Sequence, residues 1–473
     1  MDLKAMIQTL REGKQLDFPS ADADTLEYAR SLDAQDELAP FRSKFNIPTK
    51  RSLQKSSLDA DKSDPSDTPE DDKSIYFVGN SLGAQPKTIR AHLDAYLETW
   101  SSIGVNGHFT TLRNSPLTSW QDMAEDCARL SAHLVGAQPS EIAIMNTLTV
   151  NLHLLMASFY RPTEERYKII IETRPFPSDW YAVQSQIAMH NLPTSSLIEI
   201  SPDPTTNLLS TSTILSTIDA HASTTALLLL PGIQYYTGQL LDMKLITAHA
   251  RARGITVGWD LAHAVGNVPL SLHDWDVDFA VWCNYKYVNA GPGAIAGAFV
   301  HARHGGVGAD GTPEVGRLAG WYGVDKKFRF AMGREFRSIE GAGGWQVSNP
   351  SAVDLAGLKA ALGVFAEVEG GMEALRGKAM VVTRFLEWLL LRVKDEVGGF
   401  RIITPPDVRE RGSQLSLFIL GDRLDRVSRI LEERGVVCDV RKPSVIRVAP
   451  VPLYCRFEDV WRFVQIFKEA LTA

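Results

Sequence analysis

Apolar residues fall into two rhythms along this chain. Between residues 75 and 350, short apolar runs recur at 168–172, 196–200, 226–230, 255–259, 279–283 and 294–300. Stretches with helical spacing lie between several of them, such as 179–190 and 242–253. Uninterrupted apolar strands alternating with helices predict a mostly parallel sheet covered on both faces. After Pro350 the rhythm changes. Long helical stretches over 352–368 and 372–397 precede short strands at 399–404, 414–420, 436–440 and 444–448, then a helix over 458–471. This pattern predicts a large α/β domain over 76–350 and a small α+β domain over 351–473.

The first 75 residues read as an arm. Ile7, Leu10 and Leu16, then Leu26, Tyr28, Ala29 and Leu32, have helix-like spacing, with Pro40 and Pro48 as breaks. Residues 49–74 are rich in Ser, Asp, Lys and Pro and hold no aromatic residue. Such a segment buries too little apolar surface to offset its ordering entropy, so a mobile surface loop is expected.

Composition narrows the function classes. With 44% hydrophobic residues and 22% charged, the chain of 473 residues is an ordinary globular protein. A formal charge of -7 makes nucleic acid a poor partner. Cys127, Cys283, Cys438 and Cys455 form no CxxC pair, so neither a zinc site nor a disulfide framework is expected, and no metal at all. No apolar run approaches the roughly 18–20 residues that span a bilayer, and the N-terminus lacks the apolar core of a signal peptide. A cytoplasmic enzyme is the expectation.

The chemistry concentrates between residues 256 and 300. Asp260 ends an apolar strand, and ligands of open α/β sheets sit outside the carboxyl ends of the strands. Taken singly, Asp260 reads as a loop or capping carboxylate, His263 as a packed histidine and Lys286 as a solvated lysine. Their combination says more. A strand-end carboxylate, a lysine past a later strand and the Gly-Pro-Gly turn at 291–293 are what a pyridoxal phosphate site needs. The lysine forms a Schiff base with the cofactor aldehyde, and the carboxylate pairs with the pyridine nitrogen. The phosphate needs backbone N–H groups and hydroxyls at a helix start. The Asn146–Thr149 turn ahead of a helix-like run offers them, though it also reads as a plain Thr cap.

Nine ordered motifs carry a resemblance. They are YFVGNSLG (76–83), NTLTVNLHLLM (146–156), RPFPSDWYAVQSQ (174–186), GIQYYTGQ (232–239), DLAHAVGNVPL (260–270), NYKYVNAGPG (284–293), GWYG (320–323), WQVSNP (345–350) and RVAPVPLY (447–454). Over about four-fifths of its length the chain resembles the kynureninases. That resemblance implies the aspartate aminotransferase fold of pyridoxal-phosphate enzymes, a large domain built on a mostly parallel seven-stranded sheet and a small α+β domain. It implies hydrolytic Cβ–Cγ cleavage of L-kynurenine or L-3-hydroxykynurenine to anthranilate or 3-hydroxyanthranilate plus L-alanine. The reaction belongs to tryptophan degradation and pyridine nucleotide synthesis. A homodimer is implied as well.

Residue by residue, the resemblance makes Lys286 the cofactor-binding lysine and the base at the substrate α-carbon. Asp260 faces the pyridine nitrogen and His263 the ring. Phe176 stacks on the ring, with Asp179 nearby. Leu148 and Thr149 cradle the phosphate. Tyr285 reaches the phosphate and donates a proton. Trp321 and Asn349 complete the site. Arg447 would take the substrate carboxylate, a task suited to a guanidinium. His108, Asn349 and Ser81 would line the aryl pocket. One departure stands out. Relatives can carry a serine where this chain has Pro231, which offers neither hydroxyl nor N–H. A cysteine desulfurase or aminotransferase of the same fold is the competing enzyme. A non-enzymatic homologue would be expected to have lost Lys286 or Asp260.

Overall fold

The computed structural model describes residues 2–18, 22–56 and 72–473, which divide into two compact units. The first comprises residues 89–235 and 241–366, the second 1–88, 236–240 and 367–473.

The first unit is built on a seven-stranded sheet. Its strands are β1 (Ile142–Ile144), β2 (Lys168–Glu172), β3 (Leu197–Ile200), β4 (Thr225–Pro231), β5 (Thr256–Asp260), β6 (Phe279–Trp282) and β7 (Gly297–Val300). In space they run β1-β7-β6-β5-β4-β2-β3. The pairs from β6 through β3 are parallel, and β7 lies antiparallel to both β1 and β6. The mostly parallel sheet expected from the apolar runs is therefore present. The strands alternate in what they bury. Ile169, Ile171, Leu227, Leu229, Phe279 and Val281 share one core with Leu152, Leu155 and Met156 of helix α1 (Leu148–Phe159) and Ala182, Val183 and Ile187 of helix α2 (Pro177–Met189). Each such aliphatic side chain contributes about 1.5–3 kcal/mol on burial. Ile170, Leu228 and Val257, one residue out of step, are equally buried, so the sheet has no solvent-facing side here.

The helix Ala352–Ala366 also belongs to this unit. It packs on Ile89–Ile103 and Met123–Val135, so the unit ends at 366, past the 350 expected from sequence. The reason is physical: the helix is apolar nearly all round, and two helices are needed to cover it.

The second unit centres on an antiparallel sheet of β8 (Phe400–Ile402), β9 (Leu415–Ile419), β10 (Asp439–Arg441) and β11 (Val445–Val448), in the order β8-β9-β11-β10. Helices Gly371–Val397 and Phe457–Thr472 pack together, and the arm helices Leu3–Arg11 and Leu26–Asp33 pack on them in turn. A buried pair, Lys378 Nζ to Asp36 at 2.7 Å, ties the arm in place. Ile75–Tyr76 pairs in parallel with Val436–Val437 and so joins this unit. Of the polar stretch 49–74, the two ends meet in a bridge between Thr49 and Lys73. The mobile loop expected between them falls mostly on residues 57–71, outside the described residues.

Candidate active site

At the carboxyl edge of the seven-stranded sheet the strand ends deliver a set of polar groups. Glu172 closes β2, Pro231 closes β4 and Asp260 closes β5, with Pro231 and Asp260 paired in register. Lys286 and Tyr285 follow β6. The starts of α1 and α2 face the same space. A cavity of about 200 Å³ is lined by these residues together with Leu148, Thr149, Phe176, Ser178, Asp179 and His263. Ile233, Tyr235 and Ala262 complete its wall.

Local structure explains the positions. Asn146 adopts the left-handed conformation (φ 43°), turning the chain sharply from β1 into α1. The turn is held by Asn151 Nδ2 donating to the Met145 carbonyl at 2.9 Å. Thr147 caps α1 without a side-chain hydrogen bond, so the plain Thr-cap reading does not hold. The first-turn N–H groups are left for another acceptor. Thr149 Oγ1 and Ser178 Oγ lie 2.6 Å apart and link the starts of α1 and α2. Asp260 is buried, its Oδ1 accepting from the Ala262 N–H at 2.7 Å. Lys286 Nζ lies 5.8 Å from the Phe176 ring centre and 5.9 Å from that of Tyr285. Phe176 itself stands edge-on to Tyr235, ring centres 5.5 Å apart.

The electrostatics are lopsided. Glu172, Asp179 and Asp260 are three buried carboxyl groups lining a cavity that holds one amine, Lys286. Burial, helped by Asp260, pushes Glu172 up to about 8, against the weaker opposing pull of a hydrogen bond from Gln234. Asp179 is raised well above the carboxylate range, first by burial and then by its contact with Asp260. Among the described residues its Oδ1 has no hydrogen-bond partner. Burial raises the Tyr285 phenol as well, so it keeps its proton at neutral pH. Such a cavity suits a ligand with a cationic ring edge at one end and an anion at the other.

The remaining candidates lie elsewhere. His108, Trp321 and Asn349 belong to the first unit but do not line the cavity. His108 packs edge-on against Trp120, and Trp321 Nε1 donates to the Arg329 carbonyl at 3.0 Å. Ser81 and Arg447 belong to the second unit. There Val78 bridges Ala449, which sets the GNSLG turn beside β11. Arg447 is fully buried and grips Asp439 with two nitrogens, Nε to Oδ1 at 3.0 Å and Nη2 to Oδ2 at 2.8 Å. Sequence reading missed Glu172, Ser178 and Tyr235 as cavity residues. Glu172 carried the same signal as Asp260, an acid closing an apolar strand; the other two stand inside the FPSD and GIQYY motifs.

The four thiols weigh against desulfurase chemistry. Burial pushes Cys438 and Cys455 up to about 12, and Cys127 and Cys283 are raised too, whereas a nucleophilic cysteine needs a lowered value.

Fold and site together define an aminotransferase-type α/β protein. The class-V aminotransferase family matches residues 75–301, and the kynureninase C-terminal domain matches residues 375–467. Cysteine desulfurase from Thermococcus onnurineus NA1 superposes with a TM-score of 0.65 at 14% identity, covering 84% of this chain and 95% of that one. The cystine C-S lyase C-DES, in a mutant with glycine covalently linked to its pyridoxal phosphate, superposes at 0.66 with 18% identity, covering 83% and 96%. At these identities they show the fold alone. Kynureninase 1 of Neurospora crassa is 60% identical over 99% of both chains, and kynureninase 2 of Chaetomium globosum is 57% identical over 99% of both. The chain belongs to the kynureninase family.

Proposed function

We propose that this protein is a pyridoxal-phosphate-dependent hydrolase that cleaves L-kynurenine and L-3-hydroxykynurenine between Cβ and Cγ. The products are anthranilate or 3-hydroxyanthranilate and L-alanine. One observation carries the reading beyond family membership: Lys286, Asp260, Phe176 and Thr149 line a single cavity.

The residues fit the cofactor. An excess of buried carboxyl over amine calls for a cation, which a protonated pyridine nitrogen supplies. The joined starts of α1 and α2, with their hydroxyl pair, suit a phosphate. Leu148, Thr149 and Ser178 would hold that phosphate, Phe176 would cover the ring face, and Asp260 would keep the proton at the ring nitrogen. Once bound through Lys286, pyridoxal phosphate supplies an electron sink for charge that develops beside the substrate's amino group. Lys286 then moves the proton at the substrate α-carbon. Tyr285, protonated at neutral pH, donates to the carbon released by cleavage. His263, in the cavity wall, would orient the ring. Burial keeps bulk water away from the strand-end carboxyls.

Arg447 as the carboxylate receptor, and His108, Asn349, Ser81 and Trp321 as substrate or cofactor contacts, rest on the family motifs. A homodimer and a cytoplasmic location belong to the same proposal; four free cysteines favour a reducing compartment. Among the described residues no helix is long and apolar enough to cross a membrane.

The test is turnover. Protein loaded with pyridoxal phosphate should convert L-kynurenine and L-3-hydroxykynurenine to the aryl acid and alanine in equal amounts. Transfer of the amino group to a keto acid, with no alanine released from the side-chain cleavage, would falsify the proposal.

A further inference from the structure

Glu172 ends β2 between two parallel neighbours, β3 and β4, so its carboxyl stands at the carboxyl end of the sheet with β4 between it and Asp260 of β5. It is 2% exposed, and Gln234 Nε2 donates to its Oε1 at 3.4 Å. Asp179, in the first turn of α2, makes side-chain contact with Asp260. Glu172, Asp179 and Asp260 thus form a row of carboxyls along one wall of the cavity. The other titratable groups facing that cavity are Lys286, His263, Tyr285 and Tyr235; Arg174, two residues beyond Glu172, is exposed. Three full negative charges do not persist side by side in a buried space with one amine. At least one proton must reside on the row.

We propose that Glu172 is a positioning residue for the reaction: it holds a proton on the row and so leaves Asp260 to the pyridine nitrogen. This rests on the function proposed above. Glu172 lines the cavity, and in this assignment it acts through Asp179 and Asp260. Its elevated proton affinity, from burial first, agrees with this assignment. Once ionised, Glu172 would add a negative charge beside the Asp179–Asp260 contact and draw a proton onto that pair, away from its task at the pyridine nitrogen.

Two measurements separate the proposal from the reading beneath it. The first needs no cofactor. A carboxyl with a folded value near 8 and an ordinary value near 4.5 stabilises the fold below 4.5 and loses that contribution as pH rises to about 8. Urea unfolding of the cofactor-free protein from pH 5 to 9 should therefore show wild type weakening against Glu172→Gln, by up to tenfold in the unfolding constant per pH unit, and levelling above about pH 8. Parallel curves would overturn the proton assignment. The second is the pH profile of kcat/KM for the loaded enzyme. Wild type should show an ionisation near 8 that Glu172→Gln lacks. Superimposable profiles would overturn the positioning role. Gln234→Leu is the second variant if the first does not fold: removing the amide donor should move the same ionisation to higher pH, and an unmoved midpoint counts against the proposal. If wild type cleaves no kynurenine while the unfolding gap persists, the functional reading fails and the proton assignment stands.

Discussion

The route from sheet to lysine passes through a glycine that leaves no room for a side chain. Gly297 of β7 pairs with Trp282 of β6, four residues before Lys286. A Cβ at 297 would lie 2.2 Å from two indole carbons and 2.6 Å from the indole nitrogen. Comfortable contact needs roughly 3.5 Å or more, so the ring must retreat by over about 1 Å. It has nowhere to go. Trp282 is fully buried, and its Nε1 donates to Asn284 Oδ1 at 3.0 Å. Asn284 in turn donates to the Ile295 carbonyl at 2.6 Å, fixing the segment that carries Tyr285 and Lys286. Overpacking of this kind costs about 1–3 kcal/mol. Breaking the indole hydrogen bond adds about 0.5–1.5 kcal/mol. Gly297→Ala should therefore lose about 1.5–4.5 kcal/mol. Gly363 is the matched control: it lies inside the helix Ala352–Ala366, and no atom lies within 4 Å of a Cβ built there. Gly363→Ala should gain about 0.4–1 kcal/mol from the lower entropy of the unfolded chain. Urea melts of both variants, read by near-UV dichroism, give the two signs. Incorporation of pyridoxal phosphate into Gly297→Ala should fall with its stability. A Gly297→Ala protein as stable as wild type within about 0.5 kcal/mol would refute the packing argument.

Other substitutions probe the chemistry. Lys286→Ala should release no alanine and carry no covalently held cofactor; normal turnover would remove Lys286 from its role. Arg447→Lys keeps the charge but loses the two-pronged grip seen with Asp439, so KM for the amino acid should rise about tenfold with a smaller change in kcat; unchanged KM would separate Arg447 from the substrate carboxylate. Pro231→Ser restores a hydroxyl at the cavity wall and should tighten cofactor binding by roughly two- to tenfold, equivalent to a hydrogen bond of about 0.5–1.5 kcal/mol; titration of the cofactor-free protein measures it.

The parallel sheet was legible because its strands are short apolar runs, three of them closed by Glu172, Pro231 and Asp260. β1 escaped notice: at three residues it is too short for a run to stand out. The helix Ala352–Ala366 was recognised, but its unit was not, because an all-apolar helix does not say which neighbours will cover it. Asp260 and Lys286 could be read from spacing on the later strands. Glu172 could not, although it too closes an apolar strand. Its importance depends on strand order, which places β2 beside β4 and β4 beside β5, and nothing local records that neighbourhood. The Asn146–Thr149 turn shows the same limit: whether Thr147 caps its own helix or leaves the N–H groups for a ligand depends on where its side chain points.

The central claim is that one lysine of this cavity carries the cofactor. Borohydride reduction of the loaded protein, followed by digestion and peptide mass measurement, tests it most directly. The account predicts a single phosphopyridoxyl group, on Lys286. A label on another lysine, or no label on a protein that still releases alanine from kynurenine, would contradict it.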